Sequence, residues 1–439
     1  MNRELGRKIG LFAVIGLGVG ATVGSGIFST ISEVAGVAGS GLILVVAFLI
    51  GALLQIPQAL SYAELASAYP EDGGQYVYFR EAGSRFLAFM CGWITFLAVD
   101  PPGLSVMAIA ISNYLGVILN FHPAVLRGIS ILIVIFFMCL HMRSVKIGGI
   151  VQAVITVIKL IPFVLIIGIG AFCINPDLFM STTSVENSTP GIIALLGAIA
   201  MTTYSFDGMF AACYVSGEIK NPAKNLPRGL IWSTIIVLVL YVGLAAAATG
   251  LMPMSELAQS SAPIADMASK LPQIGAFAGP AIAIVAVIVI VGALSSCLLY
   301  MPRVEYVMAK DGLFFSIFAC VHKKYKTPHM AIFLFSVLVI ILAMFSNLSD
   351  LLSYVTALVL LKNCASIATI FVLRKKNGYK PTYKAPGGYL MPILSVGLTF
   401  VMFMSALFSS SIFGVITCLA IIALGIPVYI FWNRKNATS

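Results

Sequence analysis

The stretch Gly16-Leu-Gly-Val-Gly-Ala-Thr-Val-Gly-Ser-Gly-Ile-Phe28 lies in an apolar segment, about Ile9 to Ile31, long enough to cross a bilayer. Gly24-Ser25-Gly26 falls at mid-membrane and is poor helix material. Non-helical backbone survives at that depth only where protein buries it or a wet cavity meets it. Gly16, Gly20 and Gly24 also repeat every four residues, which by itself would make a smooth face for close helix packing. A second interruption decides between the two readings. Met201-Thr-Thr-Tyr-Ser-Phe-Asp-Gly-Met-Phe210 breaks a later apolar run with polar residues and a glycine. Asp207 would sit near mid-bilayer, where an ionised side chain costs about 2.5–3.5 kcal/mol or more, so it pairs, holds a proton, or faces water and a ligand. The two interrupted spans are five apart and enter the membrane from opposite sides. Matching breaks in two inverted five-span halves point to the central site of a transporter.

Composition sets the class. Of 439 residues 60% are hydrophobic and only 10% charged, against roughly 25% charged in soluble domains, so the chain is a polytopic membrane protein. Hydropathy gives about twelve spans, near 9–33, 40–63, 86–118, 125–142, 147–173, 190–216, 228–251, 274–303, 329–347, 351–374, 389–408 and 412–433. With the N-terminus inside, 22 of the 26 Lys and Arg residues fall in cytoplasmic segments. Arg127 and Lys270 lie on the other side, and Lys159 and Lys362 within spans. This asymmetry predicts cytoplasmic N- and C-termini. It also explains the net charge of +10 by topology and contact with anionic lipid rather than nucleic acid. Met1 to Lys8 reads as a cytosolic tail before a retained first helix, since no small-residue cleavage site follows. The eight cysteines show no CxxC or Cys/His spacing, which predicts free buried thiols rather than a disulfide or zinc framework. Residues 64–85 read as an interfacial half-helix, and 304–328 as the longest cytoplasmic connection.

Gly20-Ala-Thr-Val-Gly-Ser-Gly-Ile-Phe28, Tyr204-Ser-Phe-Asp-Gly208 and Gly217-Glu-Ile-Lys-Asn-Pro-Ala-Lys-Asn-Leu-Pro227 together resemble amino-acid permeases of the APC superfamily. His141-Met-Arg-Ser-Val145, Ile161-Pro-Phe163 and Pro302 to Asp311 resemble the bacterial fructoselysine/psicoselysine branch, itself similar to L-type amino-acid transporters. The resemblance covers nearly the whole chain. It implies an all-α LeuT-type fold in one domain, 1–439, with inverted repeats of about 9–173 and 190–374 and two extra helices within 389–433.

The chemistry follows from what a free amino acid offers. A helix restarting near Gly24 presents unpaired N–H groups and a positive dipole end to a carboxylate, with Val23, Gly24, Ser25 and Gly26 forming the donor edge. Freed carbonyls of Thr22, Tyr204 and Asp207 accept from an ammonium, with Ser205, Phe206 and Gly208 completing the second break. Lys159 lies too deep to snorkel and is read either as a lysine paired to a buried carboxylate or to backbone carbonyls, or as a prop between the broken first span and Ser295 and Ser296 with a structural and coupling role; a desolvated ammonium there can also exchange a proton. Sodium-coupled relatives keep a cation at that place, so the resemblance implies sodium independence. Asp100, before Pro101-Pro102, is read either as a satisfied carboxylate at a bend or, with Asp207, as a site for a second positive charge. Lysine, arginine, ornithine or a glycated lysine would carry that charge. Tyr204, Phe206, Phe210 and Trp93 are candidate gates, although aromatics in spans are more often packing. Lys362 has no assigned role beyond a possible facing of Asp100 or Asp350.

The alternatives are a neutral amino-acid exchanger of L-type character, a channel or receptor on the same fold, and a membrane enzyme. A channel wants a continuous polar ring, whereas these polar residues cluster at two breaks. The four histidines have neither metal spacing nor a nucleophile motif, and no Walker motif is present, so neither an enzyme nor ATP drive is expected. No cofactor is expected. The 120–123 loop has no cysteine, where animal L-type carriers bind a heavy chain covalently, so no such partner is expected; the protein would act as a monomer or homodimer.

Overall fold

The computed structural model describes all residues except 1–6, 120, 144, 174, 180–190, 207, 261–262, 271–277, 346–347, 410–411 and 438–439. Asp207, and the side chains of Ser25, Tyr204 and Asp350, lie outside the described residues. Among the described residues the regular structure is helical, with two isolated β-bridges. The first half runs α1 Leu11–Thr22, α2 Ser25–Ala38, α3 Gly41–Ala68, α4 Gln75–Ala82, α5 Arg85–Ile94, α6 Asp100–Leu119, α7 Pro123–Arg143, α8 Val145–Cys173 and α9 Pro176–Phe179. The second runs α10 Gly191–Ser205, α11 Pro222–Leu251, α12 Met254–Gln259, α13 Pro263–Ser269, α14 Ala278–Tyr300 and α15 Arg303–Lys310. It continues with α16 His329–Phe345, α17 Leu348–Leu373, α18 Leu390–Ser409 and α19 Ile412–Ala437.

Among the described residues, seven helical stretches are long and apolar enough to cross a membrane, making this a multi-pass membrane protein. Of the other expected crossings, the first and sixth are broken helices and α16 has 17 residues, whereas α17 and α18 run for 26 and 20 residues. The sequence accounts for these ends locally. Ser40 and Ser84 accept from the backbone N–H of Ile43 and Leu87 as N-caps. Asn221, left-handed at φ 44°, turns the chain into Pro222, whose missing N–H suits a first helical turn. Between α5 and α6, residues Thr95–Val99 form a π-helical turn that ends at Asp100 and the two prolines. Extra width there accommodates backbone that Pro101 and Pro102 cannot hydrogen-bond.

Two sequence expectations need correction. The 64–85 segment is not interfacial: α4 is folded into the protein, with Gln75 to Phe79 all buried. Nor does the chain leave the helical bundle at 304, because α15 follows α14 with Arg303 to Ala309 buried. The cysteines described are all free, but Cys139 and Cys320 are exposed rather than buried.

Charged groups tie the ends of the helices. Glu64 of α3 accepts from Arg374 at 2.6 and 2.8 Å, from the Tyr379 hydroxyl at 2.9 Å and from the Ala385 N–H at 2.8 Å. At a neighbouring end, Arg303 and Glu218 form a wholly buried ion pair at 3.0 Å. The Glu218 carbonyl accepts from the N–H of Lys8 and Ile9, and the Ile9 carbonyl accepts from Lys220, strapping the start of α1 to the 218–220 segment. Asp72 joins this clamp by accepting from the Gly217 N–H at 3.0 Å.

Removing one member of a buried pair strands the other charge, at about 3–5 kcal/mol. Arg303→Met is therefore expected to lower the melting temperature sharply in detergent, and Glu218→Gln/Arg303→Met to recover most of the loss. Burial, then the neighbouring Glu218 carboxylate, push the Asp72 carboxyl well above the usual carboxylate range. A proton held more tightly in the folded than the unfolded chain stabilises at low pH, and that contribution fades as pH rises towards the folded-state value. Thermal stability of Asp72→Asn is thus expected to depend less on pH than that of the wild type, the two diverging most on the alkaline side.

Candidate functional site

The helix is broken where the glycines predict. α1 ends at Thr22, Val23 leaves the helical region, and α2 begins at Ser25 after Gly24. The four carbonyls from Gly20 to Val23 lose their partners within the helix. The Lys159 ammonium, wholly buried on α8, donates to Gly20 O at 2.6 Å and also to Val23 O. The Tyr241 hydroxyl of α11 donates to Thr22 O at 2.9 Å. One turn earlier, Thr156 donates to Gly16 O and Ser296 to Leu17 O, each at 3.1 Å. A cation over the negative end of a helix dipole is favourable in itself. Gly16 and Gly20 therefore do more than smooth a packing face, because their carbonyls receive α8.

Glycine is required on both sides of the break. A Cβ on Gly24 would lie 2.9 Å from the Ala293 Cβ. Gly208 has φ +102°, and a Cβ on it would lie 2.9 Å from the Ala21 carbonyl carbon, so the second break is pressed onto the first. α10 ends at Ser205, and the chain resumes as 3-10 turns at Ala211–Tyr214 and Ser216–Glu218.

The breaks open on a cavity of about 90 Å³, several times the ~10–15 Å³ that one water needs. Thr22, Gly24, Gly26, Gly208, Phe210, Asp100 and Lys362 all line it. Its polar floor was not foreseen. Gln75 donates to the Tyr62 hydroxyl and to Asn363 Oδ1, each at 2.6 Å, and the Tyr214 hydroxyl donates to Gln75 Oε1 at 3.4 Å. Gln75 escaped the sequence reading because its segment looked interfacial, and Tyr241 because it lies in a featureless apolar run.

Other expected residues stand off the cavity wall. Phe206 is buried against Tyr241, with ring centroids 5.1 Å apart, and so packs rather than gates. Trp93 stacks on Phe89 and donates to the Ile421 carbonyl at 3.0 Å, which ties it to α19 instead of the cavity. Val23 and Ser205 are buried, Ser205 Oγ without a hydrogen-bond partner among the described residues. Ser295 is 3.2 Å from His141 Nε2 and takes no part in the Lys159 contact. The prop is thus ammonium to carbonyl, with Ser296 acting beside it on Leu17. No group of three or more His, Cys, Asp or Glu side chains suited to a metal occurs among the described residues.

Lys159→Met leaves two buried carbonyls without a donor, at about 1–3 kcal/mol each. Faster amide hydrogen exchange across residues 20–26, together with a lower melting temperature, is the expected outcome.

A profile of the family described as amino acid permease matches residues 9–426. The serine/threonine exchanger SteT of Bacillus subtilis is 27% identical over 100% of this chain and 99% of its own length. The methylthioribose transporter of the same organism is 29% identical over 99% of this chain and 95% of its own. Human large neutral amino acids transporter small subunit 2 is 28% identical over 98% of this chain and 82% of its own.

Proposed function

The chain belongs to the amino acid permease family, whose members are transporters rather than enzymes, and from that premise we propose a sodium-independent secondary transporter of amino acids or amino-acid derivatives working by alternating access. The observation that carries this reading is the break at Val23–Gly24 opening onto a polar cavity. We read the layout as twelve crossings in one domain, with inverted halves at about 9–173 and 190–374, two further helices within 389–433, and both termini cytoplasmic. The α1/α2 pair and the α10 break then stand in corresponding places.

In this reading the substrate carboxylate binds the N–H groups at the start of α2, Ser25 and Gly26 first. The ammonium meets carbonyls at the end of α1 and in the 204–208 segment. Ala21, on the cavity wall, is favoured over Thr22, whose carbonyl already accepts from Tyr241. Phe210 closes one side, resting on Tyr62 at 4.5 Å between ring centroids. Lys159 holds the break rigid through its carbonyl contacts, and its ammonium supplies the positive charge that a bound sodium ion would otherwise bring.

The relatives' named substrates include serine, threonine and methylthioribose, so family membership alone does not fix the cargo. Asp100, Gln75 and Asn363 in the same cavity favour a substrate with a polar, cationic far end, such as lysine or a glycated lysine, over an aliphatic one. The neutral exchanger stays the second reading, favoured by Lys362, whose ammonium can neutralise Asp100.

Proteoliposome uptake of a radiolabelled amino-acid panel, with and without internal substrate, tests the proposal. Lysine or a lysine derivative is expected to enter without sodium, and Asp100→Asn to reduce lysine transport at least tenfold, the loss of one ~1.4 kcal/mol contact. Leucine accumulation equal to that of lysine, unaltered by Asp100→Asn, would assign the neutral reading instead.

A further inference from the structure

The floor of the cavity carries hydrogen-bonding capacity that binding of a substrate's carboxylate and ammonium at the breaks does not use. Gln75, Tyr214 and Asn363 all line the cavity, and all three are buried. Gln75 is held there by the turn before α4. Gly73 and Gly74 adopt φ of +104° and +52°, and a Cβ on Gly74 would lie 3.0 Å from the Tyr214 ring. The Gly73 N–H donates to the Tyr214 carbonyl at 3.0 Å, fixing the turn against the segment that follows the second break. Two consecutive positive φ angles suit glycine alone. Gly73-Gly74-Gln75 thus sets a carboxamide at one place on the wall.

A carboxamide offers two N–H donors and an oxygen with two lone pairs. Gln75 donates to the Tyr62 hydroxyl and to Asn363 Oδ1, each at 2.6 Å, and so uses both of its N–H groups. Its own oxygen accepts from the Tyr214 hydroxyl at a long 3.4 Å and keeps a second lone pair. Asn363 of α17 gives its side-chain oxygen to Gln75, which leaves its N–H groups as donors on the cavity side. An acceptor and a donor therefore stand side by side. Turning both carboxamides over exchanges the two roles and leaves the same count. Each side chain bonded in this network is neutral. The group that matches it is uncharged and both donates and accepts, as a hydroxyl or a carboxamide does. A carboxylate could use only the donor and an ammonium only the acceptor, and a methyl group would leave both unpaired.

We infer that Gln75 and Asn363 form a subsite for the far end of the substrate, reading a hydroxyl or carboxamide through one hydrogen bond given and one received. Gly24 and Gly26 of the first break line the same cavity, so one small molecule can meet both ends at once. The subsite rests on the amino-acid transport reading above, but not on a cationic far end. Asp100 is a separate part of the wall, and a substrate bearing both a cation and a hydroxyl would satisfy both.

Uptake into proteoliposomes of the purified full-length protein tests this with pairs that differ at one group: serine and alanine, threonine and valine, 5-hydroxylysine and lysine, glutamine and methionine. The hydroxyl or carboxamide member is expected to show a kcat/KM at least about tenfold above its partner's, because a site built on buried polar groups rejects an analogue that leaves them unpaired. Preference confined to the first three pairs assigns a hydroxyl, and preference confined to the last a carboxamide. Gln75→Met and Asn363→Leu keep the volume and remove the hydrogen bonds, and each is expected to bring the ratio close to one. The ratio is the readout, since a merely structural loss lowers both members alike. Where an apolar variant fails to fold, Gln75→Glu or Asn363→Asp takes its place and is read in the same way. Uptake without preference in the wild type, or a preference kept in either variant, overturns the subsite and leaves the transport reading intact. If no member of any pair enters, the amino-acid reading falls and the subsite with it.

Discussion

A helix interrupted inside a membrane is tolerable only if something receives its freed carbonyls. Here that something is one ammonium. Lys159 bonds to Gly20 and Val23 from the adjoining helix, with Tyr241 taking Thr22 between them. Without a fixed donor the chain would close the break into continuous helix or draw water into it. With one, the break stays open, and Gly24 and Gly26 at the start of α2 line the cavity. The buried lysine and the exposed backbone of the break are thus two sides of one arrangement.

The rest of the bundle is consistent with keeping that arrangement in register. Gly208 leans on the Ala21 backbone with a left-handed φ that disfavours any other residue. Gly24 lies against Ala293. The far ends of the same crossings are bound by ion pairs rather than by apolar contact alone, Glu64 with Arg374 and Glu218 with Arg303. Such pairs hold geometry through directional hydrogen bonds, and resist rearrangement because a separated buried charge is costly.

Much of this was legible in residues. The break was legible because Gly24-Ser25-Gly26 is locally unsuited to helix, and local chemistry is what a sequence displays. Asp100, Lys362 and Lys159 were visible because a charge within an apolar run is too costly to be there by chance. Their partners were harder to see. Tyr241 and Thr156 look like ordinary span residues until the fold brings them to carbonyls more than a hundred residues away. Gln75 and Glu305 were misplaced because polar segments next to spans read as surface, whereas α4 and α15 fold back inside. Trp93 and Phe206 erred the other way, since an aromatic near a break resembles a gate until its neighbours are known. Pairing across the fold is the part that one-dimensional patterning does not carry.

The π-helical turn at Thr95–Val99 bears on how this crossing tolerates change. A π turn holds one residue more than the α-helix would use over the same rise, so α6 is rotated against α5 by about 100°, the angle of one α-helical residue. Asp100 meets the cavity because of that offset. The crossing behaves as two gears meshed one tooth out of step. Losing a single residue from 95–99 would preserve length, hydropathy and helicity almost entirely. It would also turn every side chain from Asp100 to Leu119 away from its present neighbour, so a deletion that hydropathy cannot detect would rewrite the whole inner face of this helix.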